Sequence, residues 1–231
     1  MDREALRKAV REALLDSMAP APAATGWRRF DDVPDRRGRA LITEDAVMRA
    51  HAAKTPVQVP EGAIVTPLAR EAAERLGVAF ASAPAASPKS VALASDHGGF
   101  ELKEMLRGHL AGAGYAVVDL GTHSTATVDW PEFAHRAAVA VMSGRVARAV
   151  VVDGSGVASA MACNRHSGVR AAPCSCLPEV VSARGHNDAN ILCLGARIVT
   201  PETARAIVDA FFATPFEAGR HVRRVDMIEA R

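Results

Sequence analysis

Four short stretches of this chain bring together residue types that move protons and hold anions. In ALASDHGGFELK, Asp96 and His97 directly follow an apolar run, and Gly98 and Gly99 then let the backbone turn tightly into a helix. Such a helix start presents backbone N–H groups to an anion. The plainer reading makes Asp96 a cap and His97 a surface residue, and this stretch alone does not go beyond it. In VVVDGSGVASAMACN, Gly154 and Gly156 permit close approach of the backbone to a ligand, and Ser155 adds a hydroxyl. The N–H groups of Gly156, Val157 and Ala158 suit an anion-binding nest. Asp153 stands where the apolar run meets this loop, so partial desolvation should raise its pKa. A buried aspartate capping the next helix competes with that reading. In ARGHNDANILCLGARIV, His186, Asn187 and Asp188 precede a strand and Arg197 follows it. In FEAGRHVRRVDMI, Arg220 and Arg224 are four apart and share a face if the segment is helical. Guanidinium forks match phosphate oxygens, although on spacing alone a solvated basic helix end is the simpler account. Together these stretches supply histidines, strand-end carboxylates, a glycine nest and an arginine pair, a set suited to acid–base chemistry on an anionic substrate.

The elements that must position them alternate. Short apolar runs at Ser90–Ala94, Ala116–Asp119, Ala149–Val152, Arg170–Pro173 and Ile191–Leu194 read as buried parallel strands. Helical patterns fill the gaps at Gly99–Ala113, Pro131–Ser143, Gly156–Asn164, Pro178–His186 and Pro201–Ala213. The pattern predicts an α/β domain over residues 90–231, doubly wound around a five-stranded parallel sheet with helices on both faces. Ligands in such sheets sit beyond the C-terminal strand ends, where the chemistry-bearing residues are expected.

Residues 1–89 are organised differently. Over residues 1–20, Leu6, Val10, Ala13, Leu14 and Met18 fall on one helical face, with Asp2 as N-cap. The Pro/Ala-rich stretch that follows opens a linker over 21–38, because each proline lacks an N–H and restricts the residue before it. Residues 39–80 read as a small α/β module. Its strands are Ala40–Ile42, Val57–Val59 and Val78–Phe80; its helices are capped by Thr43 and Thr66 and run to about Ala53 and Gly77. ASAPAASPK, residues 81–89, is a second linker by composition.

Composition excludes several classes. Apolar residues make up 49% and charged residues 23%, with a formal net charge of +2, too small to call for a nucleic-acid partner. No apolar run has the length of a membrane span, and the N-terminus lacks the apolar core of a secretory signal. Cys163, Cys174, Cys176 and Cys193 form no CxxC pair and no zinc-site spacing, so no metal site is expected, and they read as reduced, mostly buried thiols of a cytoplasmic protein.

The quoted motifs, together with GVRAA and in this order, resemble the ribose-5-phosphate isomerase B family, which includes galactose-6-phosphate isomerase subunits. The resemblance covers about Ser90 to Ile228 and rests most specifically on HNDAN with LGAR and on the GRHxxRV ending. It implies a Rossmann-like homodimer with active sites at the subunit interface. Such an enzyme interconverts an aldose phosphate and a ketose phosphate through an enediolate, without metal or cofactor. Carried over, Asp96 and His97 match a pair that binds and opens the sugar. Gly154, Ser155, Gly156 and Ala158 match the loop that holds the enediolate oxygens, with Ser155 also assisting ring opening. His186 matches the ring-opening histidine and Asn187 its substrate-binding neighbour. Arg220 and Arg224 match the phosphate-binding arginines, with Arg197 a further candidate and His97 contributing from the other subunit.

One departure matters. Most members carry a cysteine before the glycine loop as the base, and some use a glutamate a few residues on; this chain has Asp153 and Ser159 at those positions. Ala158 also replaces a usual glycine. Asp153 is the expected base, since carboxylates are competent for this step. The alternative is a non-catalytic sugar-phosphate-binding or scaffold protein that has lost proton transfer. The helix of residues 1–20 resembles the encapsulation peptides that bind shell proteins of bacterial microcompartments, and the TPLAR…GV pattern resembles segments attached to enzymes of those compartments. A location in the microcompartment lumen would follow. A helix that pairs with the partner subunit is the plainer account.

Overall fold

The computed structural model describes residues 41–60, 62–82 and 87–229. The expected helix over 1–20, the linker over 21–38 and the first residues of the small module lie outside the described residues.

The large sheet follows from five apolar runs. β5 (Ser90–Ser95), β6 (Ala116–Asp119), β7 (Arg148–Asp153), β8 (Ala171–Pro173) and β9 (Ile191–Gly195) form one parallel sheet in the order β6-β5-β7-β9-β8. Alternation along each strand sorts side chains to two faces. Val91, Leu93, Val150, Val152, Leu192 and Leu194 face one side. There they meet α3 (Phe100–Gly112), α6 (Leu177–Asn187) and α7 (Pro201–Ala213) through Leu106, Val180, Ile207 and Phe211. Ala92, Ala94, Ala149, Val151 and Cys193 face the other. There they meet α4 (Trp130–Met142) and α5 (Val157–Cys163) through Ala134, Ala137, Ala138 and Ala160. The first face is filled by branched aliphatic and aromatic bulk, whereas the second is dominated by alanine, so its helices can lie close to the strands. The expected doubly wound, five-stranded α/β fold is the observed one. Its strand at Arg170–Pro173 starts one residue later than expected, at Ala171.

The N-terminal elements differ in detail from the expectation. β1 (Leu41–Ile42) pairs in parallel with β3 (Ile64–Val65), and β2 (Val57–Val59) pairs with β4 (Phe80–Ser82). β3 was not expected: two residues between Gly62 and the Thr66–Pro67 helix start are too short to show alternation. The last strand lies at Phe80–Ser82, not Val78–Phe80, because Val78 is still held by the C-terminal turn of the preceding helix, its N–H bonded to Ala73 O. The helices α1 (Glu44–Ala53) and α2 (Pro67–Leu76) have the predicted bounds; Thr66 Oγ1 caps α2 by accepting from Ala69 N–H at 3.2 Å, whereas Thr43 stands at the N-cap of α1 without a side-chain cap bond, a correction to its expected role. Val47, Ala50, Ala69, Ala72 and Ala73 form a separate small core.

After α7, a 3-10 turn (Gly219–His221) leads into α8 (Val222–Glu229). Glu229 closes α8 against the sheet by accepting from Arg170 Nη1 and Gly168 N–H. Among the described residues no helix is long and apolar enough to cross a membrane, and all four cysteines are free, with Cys176 exposed.

Candidate active site

The C-terminal ends of β5 and β7 meet at two loops. The Gly99 turn lies hard against β7: a Cβ on Gly99 would stand 2.3 Å from Val152 O, so any side chain there would separate the two strand ends. Asp96 Oδ1 accepts from Gly99 N–H at 2.9 Å, the cap geometry of its plainer reading. His97 Nδ1 accepts from Val128 N–H at 3.3 Å, which places the proton of a neutral ring on Nε2.

The second loop is built around Asp153, which is 4% exposed. Its Oδ1 accepts from the N–H groups of Ser155, at 2.7 Å, and Gly156. Its Oδ2 accepts from Ser159 N–H at 2.9 Å and from the Ser159 hydroxyl at 2.5 Å. Gly156 has a φ of 79°, and a Cβ on it would lie 3.0 Å from Cys193 O, so the turn that aims these amides needs glycine. Burial pushes the Asp153 carboxyl up. The Ser159 hydroxyl and the three loop amides stabilise its charged form, and their combined effect is larger, so its pKa lies below the ordinary aspartate value. This corrects the expected upward shift. Desolvation was visible in the sequence, but the donor ring around the carboxylate was not.

The same geometry redirects the predicted nest. The amides of Ser155 and Gly156 serve Asp153, and Val157 N–H meets Ser155 Oγ at 3.3 Å. Ala158 stands in the first turn of α5. Arg197, exposed, lies beside Gly154, to whose carbonyl its own N–H donates at 3.2 Å.

The other predicted residues lie elsewhere. His186 and Asn187 end α6, immediately before β9, whereas Asp153 pairs with Gly195 at the far end of that strand. At about 3.3 Å per residue, β9 alone separates the two groups by roughly 13 Å. The expectation that all the chemistry sits at the C-terminal strand ends is therefore corrected for His186, Asn187, Arg220 and Arg224. A residue that precedes a parallel strand must lie at that strand's start.

Around His186 a second cluster forms. Its ring stacks on His221 with centroids 4.4 Å apart and planes at 4°. Its Nδ1 lies 3.3 Å from Ser182 Oγ, and its Nε2 lies 3.7 Å from Glu217. Arg220 Nε donates to His221 Nε2 at 3.4 Å. Burial first, then His186, Arg220 and Arg224, hold the His221 imidazole below its ordinary value, against a smaller opposite effect of Glu217. Arg220 sits in the 3-10 turn and Arg224 in α8, both exposed, so the pair spans a junction and not one helix. His186, Glu217 and His221 bring their ligand atoms within 4.8 Å of one another. Parallel rings direct their in-plane lone pairs side by side, so a metal ion would require one ring to turn. Glu217, His221 and Ser159 were missed as site residues. The signal for Ser159 was its place in the first turn of the helix that follows Asp153.

Comparison with known proteins covers the region of both clusters. Residues 91–228 match the family described as Ribose/Galactose Isomerase. Ribose-5-phosphate isomerase B of Escherichia coli (strain K12) is 40% identical over 142 residues, covering 62% of this chain and 95% of that protein. A putative sugar phosphate isomerase of Rickettsia bellii is 40% identical over 139 residues, covering 60% and 96%. Among solved structures, ribose-5-phosphate isomerase B of Clostridium thermocellum superposes with a TM-score of 0.60 at 41% identity, over 61% of this chain and 95% of that one. The Mycoplasma genitalium enzyme with bound ribulose-5-phosphate gives 0.59 at 38%, over 61% and 93%.

Proposed function

The chain belongs to the Ribose/Galactose Isomerase family, and on that premise we propose that it interconverts the aldose and ketose forms of ribose 5-phosphate or a related pentose or tetrose phosphate through an enediolate. The observation that carries this reading is an ionised carboxylate, Asp153, at the strand-end position directly before the glycine loop. In the forward step the C2–H bond breaks, its proton passes to Asp153, and the electron pair forms the C1=C2 bond of the enediolate. The C1=O pair moves onto O1, which takes the proton of the C2 hydroxyl, and protonated Asp153 then delivers its proton to C1 as the C2=O bond forms. His186 and Ser155 assist ring opening, and Asp96, His97 and Asn187 bind the sugar. The loop of Gly154, Gly156 and Ala158 faces the enediolate with Arg197 binding substrate beside it, and Arg220 and Arg224 hold the phosphate. No metal or cofactor takes part.

The working unit in this reading is a homodimer with active sites at the interface. Support comes from the separation of the two clusters within one chain. It comes also from exposed apolar side chains beside each: Val157 and Met161 on α5, and Val222, Met227 and Ile228 on α8. Residues 1–20 are proposed to bind shell proteins and carry the enzyme from the cytoplasm into a bacterial microcompartment.

Deuterium exchange tests the chemistry. Incubated in D2O with ribose 5-phosphate, the protein should incorporate deuterium at C2, and Asp153→Asn should stop it. Failure of the wild-type protein to exchange with pentose, tetrose and hexose phosphates would leave a sugar-phosphate binder instead. Deleting residues 1–22 should abolish co-assembly with shell proteins and leave turnover intact; retained co-assembly would rule out the targeting role.

A further inference from the structure

An ionised carboxylate offers about four lone-pair directions. At Asp153 four donors fill them: two amides on Oδ1, and the amide and hydroxyl of Ser159 on Oδ2. A base in that state has no direction open for a substrate proton. One donor must withdraw before transfer, and the four are not equally able to do so. The three amides are fixed by the Gly156 turn and by the first turn of α5, so moving any of them means remaking the loop. The fourth is a hydroxyl on a single rotatable bond, and the carbonyl of Gly156, three residues back at the helix start, is another acceptor for it.

We propose that Ser159 is a positioning residue for proton transfer, its hydroxyl closing one lone pair of Asp153 at rest and opening it by rotating away when substrate is bound. The inference rests on Asp153 being the base. Ser159 is 1% exposed, screened from a substrate entering the loop. It acts through Asp153, holding the carboxylate in one rotamer and lowering its basicity while bonded to it.

The consequences are specific. Removing a donor to the charged form makes a carboxylate more basic. In Ser159→Ala the acidic limb of the pH dependence of kcat should move upward by about half a pH unit or more, with KM within about twofold of wild type. Ser159→Thr, which keeps the hydroxyl, should return the limb to its wild-type place. Ser159→Cys, with a weaker donor, should shift it part of the way, and it provides the same reading if the alanine protein does not fold. The rate measured is deuterium incorporation into ribose 5-phosphate from D2O. A limb that stays put in Ser159→Ala or Ser159→Cys, while Asp153→Asn is inert, overturns the role of Ser159 and leaves Asp153 as base. Exchange at wild-type rate in Asp153→Asn overturns the base itself, and the role of Ser159 with it.

Discussion

The Ser159 hydroxyl donates to Asp153 Oδ2 at 2.5 Å, joining the carboxylate at the end of β7 to the first turn of α5. Asp153 is thereby both the keystone of the glycine loop and the proposed base. Its structural part can be measured separately. Its folded pKa lies below the ordinary aspartate value, so its bonds stabilise the fold above that value and are lost as pH falls through the folded one. Asp153→Asn should cost about 1–3 kcal/mol at neutral pH. The gap should close as the pH drops below about 4. Urea midpoints at neutral and acid pH read this, and a gap unchanged by acid would contradict it.

The turn that aims the loop amides gives a second prediction. Gly156→Ala forces a side chain into a left-handed conformation and sets its Cβ 3.0 Å from Cys193 O. The cost should be about 1–3 kcal/mol, lowering Tm by several degrees. Ala158→Gly, at the neighbouring helix position, should lower stability by no more than about 1 kcal/mol. Equal losses at the two positions would show that the turn is not under this constraint.

Much of this arrangement was legible in residue order. The short apolar runs of β5 and β7 marked buried parallel strands. Gly98–Gly99 and Gly154–Gly156 marked the turns beyond them. Less legible was what a side chain does after the chain has turned. The desolvation of Asp153 followed from its place at a strand end, but the reversal of its pKa depends on four donors, two of them on Ser159, six residues on. His186 was visible as chemistry, and its place just before β9 already put it at that strand's start; the position of Arg220 depends on the path of the chain after α7, which no spacing between motifs states. His221 looked like an ordinary member of the basic ending until the 3-10 turn brought its ring over His186.

The arginines at the α8 junction provide a prediction about the substrate. Arg224 is exposed and four residues beyond Arg220, free to swing toward a phosphate at the end of a bound sugar. Arg224→Ala should raise KM for ribose 5-phosphate about tenfold or more, the equivalent of one lost charge-assisted bond. Competitive inhibition by inorganic phosphate should weaken in parallel, while Tm stays near wild type. An unchanged inhibition constant for phosphate would remove Arg224 from the binding site.

The separation of Asp153 from His186 along β9 leads to the strongest test of the assembly. If each active site takes its base from one subunit and its ring-opening histidine from the other, a chain lacking Asp153 and a chain lacking His186 are complementary. Asp153→Asn and His186→Ala homodimers should each be nearly inactive. Unfolded together and refolded as an equal mixture, half of the dimers are mixed. Each mixed dimer has one site carrying both defects and one carrying neither. Turnover should therefore return to about one quarter of the wild-type level. The measurement carries its own control: mixing after separate refolding should restore activity only as fast as subunits exchange. Were both residues drawn from the same chain, every site in a mixed dimer would carry one defect. No mixing protocol would then recover activity.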